Sequence, residues 1–390
     1  MANNELWFTA LGPSGAGKTT MLACMYRKFE EILSGSIIAD TGTFNTLQAS
    51  YEKLQAEANS KDFEFGIGIE NTENLREYAF TIKGSNANIP VRFFDFPGGW
   101  MNAAKSQPEN YNRVIDIMKR SRVIIVAVST PYLMEAAERY KKEAHVDDIE
   151  QVIKQSFLEA DGSKLILIVP IKCEKYTRND RDRAKLFSRL EDAFASTLNL
   201  MNNPSYKDRL AIAAIPIHTV GNATFSRFEK QEDGRLPREI YIKNRSMGFK
   251  PKDADQPLRY AMSFLLNEFA RNYNTSSLGS IFTRINIREL GDFIRNGMKT
   301  EESDGIKIYC GRELITDMPG IVRGNNSVMF RKQEEIQPKP ADKAKTEDYV
   351  LSGMGIALAL LGVMMLPFVP ILALLFLAGG GYLIYRGLNP

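Results

Sequence analysis

Apolar residues cluster in short runs at 5–11 (ELWFTAL), 77–82 (EYAFTI), 91–94 (VRFF), 122–128 (RVIIVAV), 164–171 (KLILIVPI) and 210–217 (LAIAAIPI). Each has the length and composition of a strand. Between them, 108–120, 146–160, 180–200 and 256–272 carry helical patterns. In the second of these, Val146, Ile149, Val152, Ile153 and Phe157 mark one apolar face. Phe44, Leu47, Tyr51 and Leu54 space a further helix ahead of the strand at 77. This alternation predicts an α/β fold, a doubly wound and mostly parallel sheet with ligands at the strand C-termini. It covers about residues 5–272, as one domain over 1–273. Residues 222–255 look like an irregular basic insertion. A small α+β appendage is expected over 274–332, with a strand at Ile306 to Cys310.

The C-terminal pattern is different. Gln333 to Asp348 is charged and contains Pro338 and Pro340, which predicts a solvated linker. From Tyr349 to Tyr385 no residue is charged. One helix of that length would extend about 56 Å, against a hydrocarbon core of about 30 Å. Pro367 and Pro370 interrupt it, and Gly379 to Gly381 weaken the second half. A transmembrane helical hairpin over 349–386 is preferred to a single span, and both to a buried core hairpin. The hairpin keeps Lys343, Lys345 and Arg386 on the cytoplasmic side. The expected location is therefore the membrane, with the soluble body in the cytoplasm. The N-terminus shows no basic, apolar leader pattern.

Composition narrows the chemistry. Lys+Arg 50 against Asp+Glu 47 in 390 residues is too balanced to imply nucleic acid as a partner. Two histidines, His145 and His218, exclude a multi-histidine metal cluster. Cys24, Cys173 and Cys310 form no CxxC pair, which suits a reducing compartment.

Gly12-Pro13-Ser14-Gly15-Ala16-Gly17-Lys18-Thr19 fits GxxxxGK[ST], between a predicted strand and a predicted helix beginning near Thr20. Glycines let the backbone curl round phosphate oxygens, and the N–H groups and helix N-terminus add positive potential. Lys18 is expected on the β/γ-phosphates and the Thr19 hydroxyl on Mg²⁺. A second metal-side carboxylate should end a neighbouring strand. Asp95 does so after VRFF, and Asp95-x-x-Gly98 follows.

With these motifs the chain resembles the P-loop GTPase superfamily, in its Ras-like, switch-bearing branch. The resemblance implies GTP and Mg²⁺ as cofactors. It implies that Asp95 reaches the metal through water and that the Gly98 N–H senses the γ-phosphate. Lys172 and Glu174 match the spacing of the [NT]KxD base motif, with Glu in place of Asp and Ile171 in place of Asn or Thr. His218-Thr219-Val220-Gly221 stands where the family places a loop under the base, which puts Thr219 and Val220 in the site. His218 is expected to be structural. Thr72 is the choice for the switch I threonine on γ-phosphate and Mg²⁺, with Thr41 and Thr43 as competitors. Within the superfamily the chain looks most like bacterial double-GTPase proteins of conflict systems, on Thr219-Val220-Gly221 and Pro257-Leu258-Arg259-Tyr260. That likeness implies a switch in defence, with a second GTPase or a protein activator as partner.

Where Ras-like proteins often carry a water-positioning Gln, this chain has Gly99, followed by Trp100. Slow intrinsic hydrolysis is therefore expected, raised by a partner that supplies an Arg or by self-association. Two other readings stay open at this level. The hairpin could itself perturb the bilayer under nucleotide control, or the same loop could serve an ATPase or kinase.

Overall fold

The computed structural model describes residues 5–13, 15–32, 37–60, 64–65, 74–83, 88–104, 106–136, 140–143, 145–158, 162–230, 237–244, 246–272, 291, 294, 296–300, 305–316, 321–324 and 327–330. Ser14, Thr72, the linker at 333–348 and the uncharged segment at 349–386 lie outside the described residues. Among the described residues, no helix is long and apolar enough to cross a membrane.

The main sheet has eight strands, numbered here in chain order. Across its width lie Lys307–Cys310 (β11), Leu210–Ala214 (β8), Lys164–Ile171 (β7), Val123–Ser129 (β6), Leu6–Leu11 (β1), Ile89–Asp95 (β5), Arg76–Ile82 (β4) and Ile37–Ala39 (β2). The five strands from β8 to β5 are parallel. β4, β2 and β11 join antiparallel at the edges. Every residue of β6 and β7 is buried, as expected for central strands covered on both faces. Along β6, Val123, Ile125 and Ala127 face one core, and Ile124, Val126 and Val128 face the other.

Helices Lys18–Ile32 (α1), Thr41–Asn59 (α2) and Gln256–Asn272 (α9) contribute to the first core. Pro108–Arg120 (α3), Val146–Leu158 (α6) and Asp180–Ala193 (α7) form the second. Two short helices, Thr130–Glu135 (α4) and Tyr140–Glu143 (α5), lie between β6 and α6. Local signals set the ends. Asp40 caps α2 by accepting from the Thr43 N–H at 2.7 Å, and Asn179 caps α7 through the Asp182 N–H at 2.9 Å. α3 starts on Pro108 and ends on Lys119 and Arg120, in accord with its dipole. The buried Lys164 ammonium donates to the carbonyls of Met118, Lys119 and Ser121 at 2.6–2.9 Å, closing the C-terminus of α3.

Four expectations change. The helix expected over 180–200 ends at Ala193, and Ala195–Leu198 (α8) plus a 3-10 turn follow. The strand expected over 210–217 ends at Ala214. Ile215 and Ile217 still bond to the Ile168 and Pro170 carbonyls of β7. The stretch 222–255 is not irregular. Ala223–Glu229 (β9) and Arg238–Lys243 (β10) pair antiparallel, and Glu64–Phe65 (β3) pairs with β10 to make a second, three-stranded sheet. The strand at 306–310 forms, and it joins the main sheet as β11 beside β8. Arg312–Ile315 (α10) follows, with Leu314 and Ile315 in the first core. Ile321–Gly324 (β12) and Ser327–Phe330 (β13) make a hairpin.

Candidate functional site

The parallel strands end in step. Ala10 of β1 is level with Asp95 of β5, and Ser129 of β6 is level with Ile171 of β7. The sequence motifs therefore meet along the C-terminal ends of the central strands. The loop leaving β1 has three glycines at positive φ, Gly12 (148°), Gly15 (75°) and Gly17 (101°). Two of them leave no room for a side chain. A Cβ on Gly12 would stand 2.7 Å from the Ala127 carbonyl oxygen, and one on Gly17 would stand 2.8 Å from Ile171 Cδ1. The isoleucine that replaces the polar residue of the [NT]KxD motif thus packs against the phosphate loop. Ala16, Pro13 and Thr20 are buried around it, and Gly15 is exposed.

Lys18 is buried, and its ammonium donates to the Gly12 carbonyl at 2.8 Å and the Pro13 carbonyl at 3.2 Å. Burial pulls its pKa down, and the nearby Asp95 carboxylate pulls it partly back. The Thr19 hydroxyl donates to Asp95 Oδ2 at 3.0 Å, across 76 residues of sequence. Both residues are buried. A hydroxyl beside a carboxylate at a phosphate loop is an oxygen donor set suited to Mg²⁺, which typically takes one or two protein ligands plus phosphate oxygens. Among the described residues, no group of three or more His, Cys, Asp or Glu could hold a metal without such help.

Gly98 opens a 3-10 turn, Gly98–Asn102, directly after β5. Among the described residues, nothing lies within 4 Å of a Cβ built on Gly99. Of the competing threonines, Thr43 is committed to the scaffold, since its hydroxyl accepts the Ala79 N–H of β4 at 2.9 Å. Thr41 is exposed at the first turn of α2.

The base-side residues also converge. Lys172 has φ 62°, a left-handed conformation that is strained for a non-glycine residue. Its ammonium lies 3.4 Å from the Gly15 carbonyl and 2.5 Å from Glu239 Oε2 on β10. Glu174 uses its extra methylene to reach the loop after β8. There Oε1 accepts the N–H groups of Val220 at 2.9 Å and Gly221 at 3.1 Å. Thr219 is buried, and its hydroxyl has no hydrogen-bond partner among the described residues. His218 Nε2 lies 2.7 Å from Thr177 Oγ1, and burial lowers the imidazole pKa.

Sequence reasoning missed Ser129, Glu239 and Tyr241. The Ser129 hydroxyl donates to Glu239 Oε1 and the Tyr241 hydroxyl to Oε2, both at 2.6 Å. The signal was the alternating REIYIK of β10, hidden inside a stretch whose charge made it look like a loop.

A comparison with protein families adds a separate finding. Residues 9–211, more than half the chain, match the Double-GTPase 2 family. The chain belongs to that family. The matched span runs from β1 into β8 and holds the phosphate loop, Asp95, Lys172 and Glu174. The family member described here carries Glu239 and the 219–221 loop beyond that span. No curated protein matches the chain. Solved structures with similarity include the S. cerevisiae Ski7 GTPase-like domain bound to GTP, at 15% identity and TM-score 0.31, over 55% of this chain and 43% of that one. Another is Methanosarcina barkeri Roco2 RocCORdC bound to GDP, at 15% identity and TM-score 0.26, over 55% and 44%. The signal recognition particle receptor SRb-GTP/SRX complex from Chaetomium thermophilum gives 14% identity and TM-score 0.33, over 56% and 92%. The chain thus spans less than half the length of the Ski7 and Roco2 chains. At these scores the likeness carries no functional information.

Proposed function

We propose that this chain is a guanine-nucleotide switch that hydrolyses GTP slowly with Mg²⁺. The observation that carries the reading is the Thr19–Asp95 contact beside the buried Lys18 ammonium. It joins the phosphate loop to the tip of a neighbouring strand, at the carboxyl end of the strands where ligands of such sheets bind. Thr19 and Asp95 would hold Mg²⁺, which supplies charge neutralisation on the β- and γ-phosphates when bound. Gly12, Gly15 and Gly17 curve the loop so that its N–H groups line a phosphate cradle. Lys18 would turn from the Gly12 and Pro13 carbonyls to phosphate oxygens, whose negative charge favours the ammonium form that burial disfavours. Lys172 packs its stem on the base, and the 219–221 loop lies beneath it. Gly98 reads the γ-phosphate through its N–H, and release of that contact after hydrolysis is the switch.

The site holds no side chain at residue 99 to orient the attacking water. Turnover by the isolated protein is accordingly slow, and a protein activator or second GTPase that inserts an Arg raises it. The uncharged run from Tyr349 to Tyr385 supports attachment to a membrane, with the GTPase body on the cytoplasmic side. Membership of the Double-GTPase 2 family is consistent with a defence role. Competition binding tests the nucleotide assignment: GTP should displace a labelled GTP analogue at far lower concentration than ATP does. Equal displacement by ATP would leave a phosphate site and remove the guanine assignment. Membrane attachment is tested by fractionating cells that express the chain with and without residues 349–390. A full chain that stays in the soluble fraction, or sedimentation with membranes regardless of the deletion, would rule out attachment through this segment.

A further inference from the structure

The base end of the site contains a buried ion pair that the GTPase motifs do not account for. Lys172 and Glu239 have side chains only 6% and 9% exposed. A buried pair is costly to desolvate and contributes little to stability compared with apolar residues of similar volume. It is kept most usefully where it fixes a geometry. Here the carboxylate is fixed first, since Ser129 holds one oxygen and Tyr241 the other, each at 2.6 Å. Ser129 ends β6 beside Ile171, so the carboxylate bridges the ends of two central strands. The element that delivers it is anchored independently. Tyr241 and Phe225 pack with Cys24 of α1 and Leu54 and Ala58 of α2. The Lys243 ammonium donates to the Glu57 carbonyl at 2.6 Å, and the Tyr132 hydroxyl donates to the Pro237 carbonyl at 2.6 Å. Glu174 meanwhile commits one oxygen to the 219–221 loop. The two acids divide the work, one holding the loop and the other holding the lysine.

We propose that Glu239, carried on the inserted strand β10, is a positioning residue for nucleotide binding that holds Lys172 against the phosphate loop before the base arrives. This rests on the nucleotide-binding reading above. Lys172 is in a strained left-handed conformation. Without Glu239 its head keeps, among the described residues, only the 3.4 Å contact to the Gly15 carbonyl, and its stem is free to leave the base slot. Preorganising a contact residue in this way raises affinity by removing an ordering cost from the binding step.

The test compares GTP, ATP and inorganic tripolyphosphate on the full chain and on Glu239→Gln, which keeps the shape and removes the charge. Tripolyphosphate engages the phosphate loop without a base. Glu239→Gln should weaken GTP about tenfold or more and leave tripolyphosphate within about twofold, because each factor of ten at the base end reflects a contact the phosphates do not share. In a Lys172→Met background, Glu239→Gln should add nothing further. A loss of fold would weaken both ligands together, and so would a purely structural role. Should Glu239→Gln fail to fold, Ser129→Ala loosens the same carboxylate and should weaken GTP alone. GTP affinity unchanged in Glu239→Gln, tripolyphosphate falling in parallel, or full additivity with Lys172→Met would each overturn the proposal. If unaltered protein binds ATP as tightly as GTP, the guanine assignment falls while the contrast with tripolyphosphate still decides the role of Glu239. If it binds no triphosphate, the nucleotide reading itself falls.

Discussion

Substituting Gly12 by alanine tests whether the phosphate loop depends on its backbone path. Gly12 has φ 148°, and a Cβ there would stand 2.7 Å from the Ala127 carbonyl oxygen. That oxygen belongs to β6, which is paired on both sides by β1 and β7 and cannot retreat. A positive φ costs an L-residue about 1–2 kcal/mol. The close contact adds about 1–3 kcal/mol in a packed site. The chain can accept this strain, about 3 kcal/mol as a central value, or relieve it by displacing the loop. Urea unfolding followed by fluorescence of Trp7 and Trp100, the two tryptophans, reads the first outcome. Titration with GTP and Mg²⁺ reads the second, as a loss of about 100-fold or more, since about 3 kcal/mol is two factors of ten at 1.4 kcal/mol each. Gly99→Ala is the control, because a Cβ there meets nothing within 4 Å. It should stay within about 0.5 kcal/mol in stability. If Gly12→Ala matched Gly99→Ala in both stability and GTP affinity, the tight loop path would be refuted.

Other substitutions probe different parts of the structure. Lys164→Met leaves three carbonyls at the end of α3 without their donor and should destabilise by about 2 kcal/mol, read by urea unfolding at pH 7. Burial, with Arg122 and Arg209 nearby, lowers the Lys164 pKa to about 7. The unfolded chain then binds more protons between pH 7 and about 10, so this group makes stability rise with pH across that window. Lys164→Met should flatten that rise, and an unchanged pH profile would contradict it. Gly99→Gln starts from a position where a Cβ meets no described atom within 4 Å, and should speed single-turnover GTP hydrolysis about tenfold if the missing water-positioning group limits the rate. No change in rate would place the limit elsewhere. Asp95→Asn should weaken GTP in the presence of Mg²⁺ and have little effect in EDTA, and an equal loss in both would argue against a metal-side role.

Much of this site is readable from sequence because it depends on local rules. The GxxxxGK[ST] spacing, the apolar run that ends in Asp95 and the buried runs of β6 and β7 each demand a particular backbone. The edges of the sheet are less legible. Ile37–Ala39 is three residues long and half-exposed, too short for any periodicity to show. The 222–255 stretch was misread because its strands are half-buried and charged, as exposed antiparallel strands are. Only tertiary packing on Cys24, Leu54 and Tyr176 distinguishes them from a loop. Glu239 was hidden for the same reason: its role depends on partners at Ser129 and Lys172, 110 and 67 residues away. The glutamate at 174 was legible as a departure. Its consequence, a carboxylate resting on the Val220 and Gly221 N–H groups, required the fold.

The central claim is that Lys18, Thr19 and Asp95 grip a triphosphate with its magnesium. Equilibrium binding of GTP with Mg²⁺ to the unaltered chain and to Lys18→Ala measures it most directly. Lys18→Ala should bind GTP about 100-fold or more weakly, since a buried, charge-assisted contact to phosphate is removed. Equal affinity in the two proteins would contradict it.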